Sequence, residues 1–275
     1  MQTSRLAVIG CGNMGRSLVG GLIADGRPAS ALCAADPDAA QRERMKAQFW
    51  VEVFPDNDAA LEGADVVIFA VKPQAMKAVV RAAAPRLKER RPLILSIAAG
   101  IRTGDIGQWL DADLAIVRAM PNTPALIRAG ASALWAGANV TPVQRDAAEQ
   151  IMRAVGTTLW VEDEALLDVV TALSGSGPAY FFLLMESLEK AAVELGLPPE
   201  PARALTLETA LGAARMALAG EAEPAELRRQ VTSPGGTTEA ALAVLEQAGM
   251  ARAFADAVRA ASRRAAELAR MHGAD

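Results

Sequence analysis

Gly10-Cys11-Gly12-Asn13-Met14-Gly15 spells G-x-G-x-x-G immediately after the apolar run Leu6–Ile9, and Asp36 follows Gly15 by 21 positions at the end of the next β-type run. That spacing is the one a strand–turn–helix needs to seat a dinucleotide. Gly10 allows the tight turn and Gly12 lets backbone approach a pyrophosphate. Gly15 lets helix and strand pack closely, and Cys11, Asn13 and Met14 complete the entrance facing the phosphates. Two roles fit Asp36. As a ribose ligand it would accept from both hydroxyls and repel a 2′-phosphate, favouring NADH. Asp36-Pro37 also reads as a helix N-cap followed by proline at N1, and one carboxylate can do both. Arg42 and Arg44 either offset that repulsion for NADPH or lie on a solvated helix face.

Three further turns follow predicted strands: Ala70-Val71-Lys72-Pro73, Ile97-Ala98-Ala99-Gly100 and Met120-Pro121-Asn122-Thr123-Pro124. Ligands of open α/β sheets bind outside the carboxyl ends of the strands, so small residues such as Ala70 and Ala98 would let a dinucleotide lie close. Asn122 offers polar groups to a carboxamide, while ordinary sheet-to-helix turns explain the same residues. Ser233-Pro234-Gly235-Gly236-Thr237-Thr238-Glu239 opens a later helix. Glycines before a helix N-terminus with hydroxyls beside them form an anion nest suited to a small carboxylate. The alternative is plain N-capping by Thr237 or Thr238.

Absences narrow the chemistry. His272 is the one histidine, and Cys11 and Cys33 are the two cysteines. His-based metal sites, Ser-His triads and His general bases are therefore disfavoured, no metal is expected, and the thiols suit a reducing, cytoplasmic compartment. Alcohol oxidation usually needs a positioned His, Lys or Tyr base, yet Tyr180 is the one tyrosine and Lys190 the one lysine after Lys88. Reduction of a cyclic imine relaxes that demand, because the nitrogen can arrive protonated. It needs an oriented nicotinamide, a clamped carboxylate and hydroxyl-level hydrogen bonding. With 28 basic and 32 acidic residues the net charge is -4, which gives no field for nucleic acid or anionic membrane. The apolar run near the start ends too soon for a signal peptide, and Val169–Met185, interrupted by Gly175, Gly177 and Pro178, is not expected to span a membrane.

The elements that must position these residues follow from periodicity. Leu6–Ile9, Ala31–Ala35, Val51–Val53, Val66–Val71, Leu93–Ile97 and Leu114–Arg118 are predicted strands. Met14–Asp25, Asp38–Gln48, Gln74–Ala83 and Thr103–Leu110 alternate with them as helices. Ala131–Ala136, helix Pro142–Val155 and Thr158–Val161 continue the pattern. Apolar strands alternating with helices predict an α/β fold, an N-terminal Rossmann-like doubly wound sheet. Beyond Asp163 the chain reads as helix only, so the expected division is 1–163 for dinucleotide binding and 164–275 for an all-helical domain. Ala179–Met185 is apolar around the whole helix circumference and must be buried on every side. A homodimer would do this, as would a monomeric helical lid.

Over essentially its whole length the chain resembles the pyrroline-5-carboxylate reductase family. The resemblance rests on Pro224–Glu246, PAELRRQVTSPGGTTEAALAVLE, with AVKP at 70–73, RAMPNTP at 118–124 and LSGSGPAY at 173–180. It implies an NAD(P)H-dependent reduction of 1-pyrroline-5-carboxylate to L-proline. It implies that cofactor lies on the glycine loop, Ala70–Pro73 and the turn at Ala98, with Asn57 on the adenosine side. Substrate carboxylate would be held by Ser233 and the backbone of Gly236, Thr237 and Thr238. The Thr238 hydroxyl would bond the ring nitrogen, and Glu221 would act through water. The family further implies an intertwined homodimer, decameric in some members, and Asp36, where many members carry serine, argues against strict NADPH preference. A β-hydroxyacid dehydrogenase is the competing enzyme, disfavoured because Lys190 is the first lysine on the helix after the boundary. A dinucleotide-sensing regulator is the non-catalytic competitor, which would not need the Ser233–Thr238 nest. The reductase reading expects the two glycine-lined entrances to face each other across one cleft.

Overall fold

A computed structural model describes residues 4–274. These form two compact units, one of residues 4–176 and 260–274, the other of 177–259. The first unit is built on an eight-stranded sheet in the order β3-β2-β1-β4-β5-β6-β7-β8. Its strands are β1 (Leu6–Ile9), β2 (Leu32–Ala35), β3 (Glu52–Phe54), β4 (Val66–Phe69), β5 (Leu93–Ser96), β6 (Ile116–Met120), β7 (Gly130–Ala136) and β8 (Gly156–Trp160). The helices between them are α1 (Asn13–Ala24), α2 (Ala39–Phe49), α3 (Asn57–Leu61), α4 (Pro73–Arg90), α5 (Thr103–Leu110) and α6 (Pro142–Arg153).

Strand residues alternate between two cores. Leu6 and Val8 face Leu18, Val19, Leu22, Ile151 and Met152 on one side. Ala7 and Ile9 face Met76, Val80, Leu87, Ile106 and Leu110 on the other. Both faces are covered, which is why β1, β2 and β4 are apolar throughout and β5 is apolar up to Ser96. The chain reverses from β1 outward to β3 and then returns to β4 on the other side of β1, so the carboxyl ends of β1 and β4 flank the switch point where ligands of such sheets bind.

The structure corrects several sequence boundaries. The fourth helix extends to Arg90 with Pro85 inside it, so the proline that reads as a stop is absorbed once Ala83, Ala84 and Leu87 are buried. The third strand is Glu52–Phe54, and the fourth stops at Phe69. Five-residue α3 was not anticipated, being too short for a visible period. β7 runs antiparallel to β6; the connection 121–129 holds only a 3₁₀ turn at Thr123–Ile127, too short for a crossover.

After β8 comes α7 (Leu166–Val170), which opens into a wider π turn at Thr171–Gly175. The second unit then holds α8 (Gly177–Glu194), α9 (Pro199–Ala219), α10 (Pro224–Gln230) and α11 (Thr237–Gln247). The last helix, α12 (Met250–Ala274), begins in this unit and contributes its residues from 260 on to the first. By length and composition alone Leu166–Glu194 is long and apolar enough to cross a membrane; its regularity is broken at the π turn.

Candidate active site

At the carboxyl end of β1 the chain turns at Gly10, whose φ is +108°. A Cβ there would lie 2.6 Å from the Ala70 carbonyl oxygen, and one at Gly15 would collide with the Gly10 carbonyl oxygen. The loop is therefore packed against β4 so tightly that only hydrogen fits at both positions. Gly12 differs: nothing lies within 4 Å of a Cβ placed on it. It is the N-cap of α1 and carries no side-chain cap. The first helical bond inside this turn runs from the Arg16 N–H to the Gly12 carbonyl, which leaves the N–H groups of Asn13, Met14 and Gly15 without partners among the described residues. Open space before unpaired amides at the positive end of a helix is a cradle for phosphate.

Cys11 takes no part in that donor set. Its N–H donates to Asp36 Oδ2 at 2.8 Å, and its side chain is buried. Burial, reinforced by the Asp36 carboxylate, pushes the thiol up to about 12. The other oxygen of Asp36, Oδ1, accepts from the Asp38 N–H at 2.9 Å. The expectation that Asp36 caps the next helix is corrected: α2 starts at Ala39, and Asp38 is its N-cap, accepting from the Ala40 N–H. Arg42 folds back so that one Nη1 donates to the carbonyls of Asp36 and Pro37 at 2.8 and 2.9 Å, while Arg44 is exposed.

A pocket of about 370 Å³ opens beside this loop, lined among others by Gly10, Asp36, Asn57, Asp58 and Val71. Asn57 is brought there as the first residue of α3, whose N-cap Asp56 accepts from the Ala59 N–H. Ala70 and Val71 follow β4, Lys72 is the N-cap of α4, and Pro73 is its first residue. Ala98 is buried in the turn after β5. The bare cradle at Gly12 and the amides without partners among the described residues fit a pyrophosphate, and the adjoining pocket lies where the adenosine side of a dinucleotide would rest.

Asn122 turns out to be tied to protein on both sides of its amide. Its Nδ2 donates to the Ser174 carbonyl at 3.1 Å, and its Oδ1 accepts from the Ala131 N–H at 2.9 Å. The amide thus joins the loop after β6 to β7 and to the π turn. Four residues before Asn122, Arg118 belongs to a buried charge cluster that the sequence reading missed. Arg118, 2% exposed, pairs with Glu164 at 3.4 Å and Asp168 at 3.9 Å. Arg102 reaches Asp168 at 3.7 Å, and the N–H and hydroxyl of Thr103 both donate to Glu164.

In the second unit Ser233-Pro234-Gly235-Gly236 makes a type II turn, with Pro234 at its second position, Gly235 at φ +70° and the Gly236 N–H donating to the Ser233 carbonyl at 3.0 Å. The Glu239 carboxylate reaches back to accept the Gly235 N–H at 2.7 Å. The N-cap of α11 is Gly236, and no side chain caps it, so capping by Thr237 or Thr238 is excluded. The N–H groups of Thr237, Thr238 and Glu239 and the hydroxyls of Ser233, Thr237 and Thr238 have no partners among the described residues. Thr238 is half-buried and Thr237 exposed. Glu221 is exposed between α9 and α10. The dinucleotide loop and this loop belong to different compact units.

Residues 164–268 match the family described as pyrroline-5-carboxylate reductase dimerisation, and residues 5–100 match NADP oxidoreductase, coenzyme F420-dependent. A pyrroline-5-carboxylate reductase of Pseudomonas aeruginosa is 54% identical over 99% of this chain and 100% of its own. One from Synechocystis is 42% identical over 96% and 98%. Among solved structures, the pyrroline-5-carboxylate reductase of Coxiella burnetii superposes with a TM-score of 0.92 at 46% identity, covering 97% and 98% of the two chains. That of Plasmodium falciparum, with NADP bound, gives 0.87 at 27% identity, covering 98% and 99%.

Proposed function

The chain belongs to the pyrroline-5-carboxylate reductase family, and on that premise we propose how its residues divide the reduction of 1-pyrroline-5-carboxylate to L-proline. NAD(P)H is the cofactor, and when bound it supplies the hydride for the C=N bond. The N–H groups of Asn13 and Met14, in front of Gly10, Gly12 and Gly15, hold the pyrophosphate. Asp36 and Asn57 take the adenosine side, Ala70, Val71, Lys72, Pro73 and Ala98 form the close wall, and Asn122 shapes the nicotinamide end. Cys11 contributes by its place under the loop.

The substrate carboxylate is held by Ser233 and by the backbone of Gly236, Thr237 and Thr238. The Thr238 hydroxyl bonds the ring nitrogen, and Glu221 acts through water. The observation that carries this assignment is that α1 and α11 each have a glycine N-cap without a side-chain bond, their first N–H groups having no partners among the described residues. Such groups are fixed before the ligand arrives, so they attract anions with little reorganisation.

We further propose that residues 1–163 serve the cofactor and 164–275 the substrate and self-association. A dimer covers α8, and a decamer of five such dimers is the larger assembly proposed. The protein works in the cytoplasm, where Cys11 and Cys33 stay free thiols, and has neither nucleic-acid nor membrane partners. Thr238→Ala should lower kcat by on the order of a hundred- to a thousandfold, as removal of one well-placed donor does, while the Kd for NADPH stays unchanged. Equal losses in both would remove the assigned role.

A further inference from the structure

We infer that Asp36 is a positioning residue of the phosphate loop, over and above its contact with the ribose. The inference rests on the reading that a dinucleotide lies on Gly10–Gly15. Asp36 is held at four points. Its N–H donates to the Phe54 carbonyl at 3.2 Å, and its carbonyl accepts from Arg42 at 2.8 Å. Its two carboxylate oxygens accept separate backbone N–H groups, Cys11 at 2.8 Å and Asp38 at 2.9 Å. A side chain whose task was only to meet ribose hydroxyls would not need such anchoring.

The Cys11 N–H is the donor that makes the difference. It sits between Gly10, in left-handed backbone, and Gly12, where α1 begins. The residue is buried, so without Asp36 its amide would lack a partner. The bond therefore fixes the peptide from which α1 starts and so aims the free amides of Asn13 and Met14. Each oxygen keeps a second lone pair for a ribose hydroxyl, so brace and reader are compatible. A serine at 36 has one oxygen, closer to the backbone, and cannot span both amides. Exchanging Asp36 for a 2′-phosphate-tolerant residue consequently costs the loop as well as the ribose contact.

Hydrogen exchange of the dinucleotide-free, full-length oligomer, beside calorimetric titration of NADH, separates the two roles, with thermal melts confirming that each variant is folded. For Asp36→Ser, exchange over residues 10–15 should quicken with no ligand present, and the Kd for NADH should rise by roughly ten- to a hundredfold, the scale of one lost charge-assisted hydrogen bond. Asp36→Asn, which keeps one acceptor but sets an amide NH₂ against the second N–H, should fall between wild type and serine in both measurements. Exchange over residues 10–15 that is unchanged in both variants would overturn the inference and leave Asp36 a ribose reader alone. Loss of pyrroline-5-carboxylate turnover with unaltered dinucleotide affinities would count against it as well. A wild-type protein that bound both dinucleotides but failed to reduce the imine would instead strike the functional reading.

Discussion

Asp36, Asn122 and Glu239 are polar residues at the proposed site whose side-chain oxygens accept backbone N–H groups. In each case the side chain holds a loop, and neighbouring amides are left to meet the ligand. This division was only half legible in the sequence. Asp36 and Asn122 stood out by type and position, but a residue's hydrogen-bond partner twenty-five positions away cannot be read from spacing. The Gly236-x-x-Glu239 interval did carry a signal, since an acid three residues after an N-cap commonly reaches back to a loop amide. The cysteines give a test at the same scale. Burial raises both thiols above the ordinary value of 9.0, Cys11 to about 12. Their folded values exceed their unfolded ones, so the associated stability is complete below pH 9.0 and, for Cys11, is lost as pH rises from there towards about 12. Iodoacetamide near neutral pH should leave Cys11 and Cys33 unmodified in the native protein and label both in urea. Rapid labelling of the native Cys11 would contradict its placement.

Among the elements, strands buried on both faces announced themselves as short apolar runs, and the glycine loop announced the helix after β1. What stayed hidden was set by tertiary packing: the extension of α4 through Pro85, the reversal of β7, and the cluster tying α7 to the sheet. Arg118 looked like one more residue after a strand, because nothing local reveals that Glu164 and Asp168 come to meet it. A buried charge that loses its partners is costly, whereas a cluster replaced as a whole is often not. Arg118→Met should therefore destabilise the protein by about 3–5 kcal/mol in urea unfolding, since it leaves Glu164 without a cation and Asp168 with Arg102 alone. Adding Glu164→Gln and Asp168→Asn should restore most of that loss. A single variant no less stable than the triple one would mean the cluster is held mainly by water.

For the whole molecule, the apolar circumference of α8 was readable and so was its consequence. Phe181, Phe182 and Leu183 are 62–64% exposed on the single chain, and the dimerisation family covers this helix. A second copy is the partner proposed for that face, so Phe181→Glu with Phe182→Glu should convert the oligomer to monomer in light scattering while the dinucleotide still binds. Retention of the oligomer would place the interface elsewhere.

The backbone amides at the starts of α1 and α11 do the anion binding proposed for this protein. Peptide-resolved hydrogen exchange measures whether ligands reach them. NADPH alone should slow exchange at Asn13 and Met14, and L-proline, the carboxylate-bearing product, should slow it at Thr237 and Thr238. Exchange at those four amides that is indifferent to both ligands would contradict the claim.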